Sequence, residues 1–307
     1  MHTAYITHPA CLKHHMGHLH PESPARLKAI DDRLHAAQLF DYLRHHDAPM
    51  AHRVHLVRVH DPAYIDAVEA ASPYDGLVQL DGDTAMNPHT LDAAYHAAGG
   101  GILAVDWVMK GEVESAFVAC RPPGHHATRN QSMGFCIFNN VAVAAAHALE
   151  AHGLERVAIV DFDVHHGNGT EDIFRDDPRV MLVSTFQHPY YPHCGADTVS
   201  EHIVNIPLPG GTAGKAYREA FEARALPALD GFAPQLVFFS AGFDAHREDD
   251  MSHFMLTEPD YQWITEQVMA VAARHAGGRA VSMLEGGYDL SSLGRSVAVH
   301  VKTLARL

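Results

Sequence analysis

The segment Val157–Thr170, VAIVDFDVHHGNGT, constrains this chain more than any other. Its first six residues, Val157 to Phe162, are mostly apolar and β-branched, as a buried strand requires. Asp161, Asp163 and His165 then fall at every second position. Extended backbone turns residues at that spacing to one side. Three ligand-type groups converging at the end of a buried strand would repel one another and be costly to desolvate unless a cation sat among them. The run Gly167-Asn168-Gly169 allows a tight turn, and Thr170 is suited to cap the short helix that follows. The segment predicts a metal site at a strand end.

The rest of the chain supplies a frame for that strand. Runs rich in Val, Ile and Phe predict strands at Ala4–Thr7, Ser115–Cys120, 157–162, 180–185, 235–240 and 279–284. Between them, helical spacing falls at Ala25–His35, Asp61–Ala71, Thr90–Lys110, Ile137–His152, near 170–175, and at 215–229, 259–275 and 290–305. Such alternation indicates an α/β fold with a mostly parallel sheet sandwiched by helices. Gly99-Gly100-Gly101 weakens the middle of the Thr90–Lys110 helix, and close packing on a sheet would account for it. With no internal repeat, low-complexity segment or linker, residues 1–307 are expected to form one domain.

Charge and composition remove several function classes. The formal net charge of −15 disfavours nucleic acid, which calls for a basic face, and favours cationic substrates. No apolar run spans a bilayer, and Met1–His20 lacks the order of a signal peptide, so the expected address is the cytoplasm, with no membrane partner. The four cysteines are scattered without a CxxC pair, which argues against a disulfide framework or a cysteine-based zinc site. His14, His15, His18 and His20 cluster on a Gly- and Pro-broken segment without a carboxylate pattern, and a surface loop is the expectation there.

The chemistry-bearing motifs share one location. RPPGHH (Arg121–His126) follows the 115–120 strand, DFDVHHG ends the 157–162 strand, AGFDAH (Ala241–His246) follows 235–240, and Glu285-Gly-Gly-Tyr288 follows 279–284. In a doubly wound sheet, sites gather beyond the carboxyl ends of the strands. Asp163, His165 and Asp244 offer two carboxylates and one imidazole, leaving an open position for water, as catalytic zinc requires. His125-His126 provide an acid and a base, and Tyr288 an oxyanion donor. This set suits metal-assisted hydrolysis of an amide.

In its order of motifs, from HPESPAR (His20–Arg26) through RPPGHHA, GFCIFNN, DFDVHHGNGT, AGFD and EGGYDL, nearly the whole chain resembles the zinc-dependent histone deacetylase superfamily. The resemblance implies the arginase-deacetylase fold and removal of acetyl or other short acyl groups from lysine side chains. It makes Asp163, His165 and Asp244 the zinc ligands, His126 the general base and acid, His125 its electrostatic partner, and Tyr288 the residue that polarises the carbonyl. Asp161 would bond His125. Gly134, Phe135 and Tyr191 would line the acyl-lysine tunnel. Asp161, Asp163, His165, Ser184 and Thr185 match a potassium site, mostly through backbone carbonyls, and Arg26 matches an arginine of the family's internal channel. Asn168, where class I relatives carry Asp, is the class II habit, so the chain is similar to class II-like bacterial histone deacetylase-like amidohydrolases.

Three rivals remain on the sequence. Acetylpolyamine amidohydrolases share the same catalytic residues, but where polyamine-selective relatives place a gatekeeping Glu this chain has Met251; nearby Glu248, Asp249 and Asp250 read as a solvated loop. Arginase-type enzymes would need two manganese ions, which Asp244-Ala-His246 echoes only superficially. A non-catalytic acyl-lysine binder would need neither Tyr288 nor both histidines. The donor set suits zinc, and ferrous iron fits a similar geometry. Acyl length, a homo-oligomeric state, and the choice of Asp81 or Asp83 as the rim residue that holds substrate stay open.

Overall fold

Val157–Asp161, Leu236–Ala241 and Ala280–Leu284 are buried at every position, and they form the middle of one sheet. Apolar runs without alternation suit strands covered on both faces. The computed structural model describes residues 3–307. Its strands are β1 (Thr3–Thr7), β2 (Leu43–Asp47), β3 (Val78–Gln79), β4 (Ala85–Met86), β5 (Ser115–Val118), β6 (Val157–Asp161), β7 (Val180–Gln187), β8 (Ile203–Leu208), β9 (Leu236–Ala241) and β10 (Ala280–Leu284). All but β3 and β4, a small antiparallel pair, join one parallel sheet in the order β2-β1-β5-β10-β9-β6-β7-β8. The helices are α1 (Ala25–Ala36), α2 (Arg53–Leu56), α3 (Pro62–Ala71), α4 (Thr90–Met109), α5 (Asn140–His152), α6 (Asn168–Phe174), α7 (Gly214–Ala220), α8 (Leu226–Phe232), α9 (Glu258–His275) and α10 (Leu290–Leu304).

The expected elements are present, and the short α2, the β3–β4 pair and two edge strands are additions. β2 reads LRHHD and is exposed at four of its five positions. It gains its place by pairing with β1 as an edge strand, not by burying an apolar face. β8, IVNIPL, closes the other edge and carries Pro207, which an edge strand tolerates. The expected 215–229 helix is a continuous helical run through α7 and α8, with a π turn at Phe221–Ala225. That turn comes just before Pro227, which has no N–H to donate. Buried apolar residues from Ala4 to Leu304 form one continuous cluster.

The histidine-rich loop departs from expectation. His14 is fully buried, with Nδ1 2.7 Å from Thr90 Oγ1 and Nε2 3.2 Å from Glu22 Oε2, while His15 and His18 face solvent. Glu22 is held in turn by the buried guanidinium groups of Arg26 and Arg121. A buried carboxylate with two guanidinium partners is neutralised, and His14 completes its shell. A composition rich in histidine gave no sign of this, since Thr90 and Arg121, which complete the cluster, lie far along the chain.

The triple glycine of α4 has the expected role in close packing. Side chains of Val118, Ile6 and Met283 press on Gly100 and Gly101, and a Cβ on Gly99 would collide with the Pro49 carbonyl oxygen. Alanine favours a helix over glycine by about 1 kcal/mol. Overpacking against fixed backbone costs roughly 1–3 kcal/mol and outweighs that gain. Gly99→Ala should therefore lower the urea midpoint of the protein; a raised midpoint would show that α4 stands free of Pro49.

Candidate active site

The four motif-bearing strand ends are neighbours. β5, β10, β9 and β6 are consecutive in the sheet, so RPPGHH, EGGY, AGFD and DFDVHHG emerge side by side at their carboxyl ends. Cross-strand register brings Asp161 opposite Ser240 and Leu284 opposite Ala241. Topology, rather than sequence proximity, assembles the site.

Asp163, His165 and Asp244 converge there. His165 Nδ1 lies 3.1 Å from Asp163 Oδ1 and 3.2 Å from Asp244 Oδ2, with all three residues buried. Backbone N–H groups support the carboxylates: Gly286 donates to Asp163 Oδ2 at 2.9 Å, and Val164 to Asp244 Oδ1 at 3.0 Å. A Cβ on Gly286 would strike both carboxylates, so only glycine permits this approach. Burial and the neighbouring Asp163 push the Asp244 carboxyl up to about 7, against the pull of His165. Burial would lower His165, but its two carboxylate partners outweigh it and raise the imidazole to about 10. Protons thus bind where a cation would be welcome.

Asp161, at the same alternate spacing, is not part of that trio. Its Oδ2 sits 2.9 Å from His125 Nδ1, and its Oδ1 accepts the Asp163 N–H at 3.1 Å. The chain leaves extended geometry after Asp161, so the strict alternation expected from the sequence breaks there. His125 is opposed by burial, yet Asp161 and Asp163 raise it to about 10. Its neighbour behaves in the opposite way. His126 Nδ1 lies 2.7 Å from Asn168 Oδ1, while Asn168 Nδ2 donates to Met133 Sδ at 3.4 Å. The network assigns the His126 proton to Nδ1 and leaves Nε2 a free base. Burial, then the charges on His125 and His165, hold His126 well below the usual imidazole range.

A cleft of about 320 Å³ opens over this cluster, lined by Gly134, Phe135, His165, Tyr191, Met251 and Tyr288, all singled out from the sequence. Phe135 and Tyr288 meet edge to face with ring centroids 5.8 Å apart. Tyr191 packs edge-on against His126 at 5.2 Å. Gly134 has φ +57°, and a Cβ there would run into the His126 ring. Burial drives the Tyr288 phenol well above its ordinary value, against the pull of Arg26, so it stays a proton donor.

Two lining residues had no sequence signal of their own, Tyr190 and His193, and a third is Asp83, one of the two rim aspartates that the sequence left open. Tyr190 stacks on His165 with centroids 5.8 Å apart. Asp83 Oδ1 accepts the Gly134 N–H at 3.1 Å, whereas Asp81 is turned toward Gln131. Glu285, named only as part of a motif, is buried under the tandem histidines and accepts from the backbone of Gly124 and His125 at 2.7 and 3.1 Å. Ser184 and Thr185 face other partners: Ser184 Oγ meets His166 Nδ1 at 2.9 Å, and Thr185 Oγ1 meets the Tyr217 hydroxyl at 2.5 Å. The acidic trio after β9 also differs from the expected solvated loop. Asp249 is buried, and Glu248 pairs with Arg295 at 2.7 Å. His246 turns toward Glu258, away from the carboxylate pair.

A second His–Asp group lies away from the strand ends. Asp106 Oδ1 on α4 is 2.8 Å from His147 Nε2 and 2.7 Å from His152 Nε2 on α5. Arg58 donates to His147 Nδ1 at 3.2 Å, which puts the His147 proton on Nε2, facing Asp106. Those hydrogen bonds pin α4 to α5.

A family model for the histone deacetylase domain matches residues 20–304. The histone deacetylase-like amidohydrolase of Pseudomonas aeruginosa is 39% identical over 277 residues, covering 88% of this chain and 73% of that protein. The human polyamine deacetylase HDAC10 is 38% identical over 300 residues, 92% of this chain but 44% of that protein. Among solved structures, the HDA15 HD domain superposes with a TM-score of 0.94 at 35% identity, over 99% of this chain and 88% of that one. The eight-stranded parallel sheet flanked by helices is the arginase-deacetylase fold, and the chain belongs to the histone deacetylase family of deacetylases and amidohydrolases.

Proposed function

We propose that this chain is a zinc-dependent amidohydrolase that removes acetyl or other short acyl groups from lysine side chains. One observation carries the reading: Asp163, His165 and Asp244 form a buried donor set beneath a cleft that Tyr288 also lines, with the free base His126 alongside. Two carboxylates and one imidazole fit a divalent ion with a position left for water. Their raised proton affinities, at Asp244 and His165, are what a buried anionic site has in place of a cation. When bound at these residues, zinc supplies Lewis-acid polarisation of a carbonyl and a more acidic water.

The remaining steps belong to the chain. His126 Nε2 takes a proton from the attacking water, and His126 then returns it to the departing lysine amine. Held positive by Asp161, His125 stabilises negative charge as it develops beside His126. Tyr288 donates its hydroxyl proton in a hydrogen bond to the substrate carbonyl oxygen. Phe135 and Tyr191 flank the aliphatic side chain, and Asp83 stands at the rim for the substrate backbone. A potassium ion at Asp161, Asp163, His165, Ser184 and Thr185 would draw mostly on their backbone carbonyls, the Ser184 and Thr185 hydroxyls also bonding His166 and Tyr217.

Acetylated polyamines are the second reading, favoured by the likeness to a polyamine deacetylase. The rim favours lysine. Met251 lines the cleft, Glu248 is paired with Arg295, and Asp249 is turned inward, so Asp250 alone of the acidic trio is exposed without either constraint.

Initial rates on an acetyl-lysine peptide and on an acetylated polyamine, with and without a chelator, test both. Chelator-sensitive turnover favouring the peptide is expected; preference for the polyamine would move the substrate class, and turnover of neither would sink the reading. Tyr288→Phe should lower kcat by roughly 10²–10³-fold, whereas unchanged function would point to a binder. Asp244→Asn should melt at a higher temperature than the metal-free wild type, because it removes one of two buried like charges. It should also lose the rise in melting temperature that zinc gives the wild type. A metal-free variant no more stable than wild type would count against mutual repulsion of the two carboxylates.

A further inference from the structure

The loop after β9 holds an acid that neither faces solvent nor touches the donor set. Asp249 is 4% exposed, although its neighbours Glu248 and Asp250 are exposed. Its Oδ2 accepts the backbone N–H groups of Tyr288 at 2.6 Å and Asp289 at 3.0 Å, and its Oδ1 accepts the N–H of Met251 at 3.0 Å. Burying a carboxylate is expensive unless its oxygens are filled, and here three backbone donors fill them. Two of the three belong to the turn that carries the cleft tyrosine.

That turn needs holding. Gly287 has φ +118°, and a Cβ there would press on Leu293 and Phe243, so the chain bends sharply just before Tyr288. The Gly287 carbonyl accepts from Arg26 Nε at 2.6 Å. One peptide unit, Gly287–Tyr288, is therefore gripped at its oxygen by a guanidinium and at its N–H by a carboxylate. The ring itself meets Arg26, at 4.9 Å from its centroid, and Phe135 edge to face. Its direction is consequently set from the backbone.

We propose that Asp249 is a positioning residue for Tyr288, aiming the phenol at the substrate carbonyl by fixing the Tyr288 and Asp289 amides. The inference rests on the amidohydrolase reading above. Because the same carboxylate binds the Met251 amide, it also sets the spacing between two walls of the cleft. A donor hydroxyl displaced by an ångström can cost up to about a hundredfold in rate. Asparagine at 249 has one carbonyl oxygen, so it can satisfy the Tyr288–Asp289 pair or Met251, not both, and its amide N–H₂ would face a backbone donor.

Asp249→Asn should lower kcat by roughly ten- to a hundredfold, with KM within about twofold and the zinc content unchanged. In a Tyr288→Phe background the same substitution should cost less than about twofold, since the group it positions is gone. Equal losses in both backgrounds would overturn the proposal, as would a loss of bound zinc that accounts for the fall. Asp249→Glu, which keeps the charge but displaces the oxygens by one methylene, gives the same comparison should the asparagine variant not fold. Amide hydrogen exchange supplies a readout that needs no turnover: protection at Tyr288 and Asp289 should fall in the variant. Unchanged protection refutes the clamp even in an active enzyme. If the wild type turns over neither substrate, the amidohydrolase reading fails, and exchange at those two amides still decides whether Asp249 holds Tyr288.

Discussion

Two buried carboxylates, Asp163 and Asp244, stand on one imidazole nitrogen, at 3.1 and 3.2 Å from His165 Nδ1, and the surrounding structure answers that concentration of negative charge. Backbone N–H groups from Gly286 and Val164 fill carboxylate lone pairs. Gly242 and Gly286 give up side chains so that strand ends can close on the two aspartates. His125, kept positive by Asp161, comes within 3.8 Å of Asp163 Oδ2. None of these supports is close to both aspartates in the chain. They meet because β5, β10, β9 and β6 are neighbours in one parallel sheet, whose carboxyl ends all point the same way.

The tandem histidines show how a single atom in a partner separates two otherwise similar groups. His125 and His126 lie with ring centroids 4.0 Å apart, so two positive charges there would repel strongly. Asp161 gives one ring a full negative charge, whereas Asn168 gives the other only a carbonyl dipole. The proton therefore settles on His125, and its charge in turn lowers its neighbour. Glu285 lies beneath the pair, pushed up to about 7 by burial even though His125 and the backbone amides of Gly124 and His125 pull it down. Environment thus gives adjacent histidines of one loop opposite protonation tendencies.

Much of this was legible in the chain itself, and the exceptions have a common cause. The central strands are continuous apolar runs, so β6, β9 and β10 announce themselves, as do the acid and histidine motifs that end them. The edges do so less clearly: LRHHD at β2 owes its strand state to a neighbour's hydrogen bonds rather than to burial, and IVNIPL at β8 is an apolar run broken by Asn205 and Pro207 and paired on one side. Equal spacing of Asp161, Asp163 and His165 turned all three to one side, yet the strand ends at Asp161, which meets His125 as the family resemblance implied. His14 and Asp249 failed for a related reason. Each looks solvated beside its polar neighbours, and each is buried with a partner brought from elsewhere, Thr90 for one and the Tyr288 turn for the other. Local composition carries no trace of such long-range satisfaction.

The same distinction separates what the fold determines from what it leaves adjustable. The donor set and the two histidines sit at the ends of buried central strands, where packing fixes side chains on both faces. The cleft wall is different: Asp83, Tyr190, Tyr191, His193 and Met251 all come from connecting segments outside the large sheet. Loops of this kind tolerate replacement without disturbing a core. On the proposed function, a change of substrate therefore needs only a change of rim above an unaltered donor set. Two restraints limit that freedom. Asp83 holds the Gly134 amide beside His126, and Asp249 holds Met251 together with Tyr288. Through these two carboxylates the outer wall is tied to Gly134 beside His126 and to the Tyr288 turn, so the rim cannot be remodelled at either point without moving one of those segments.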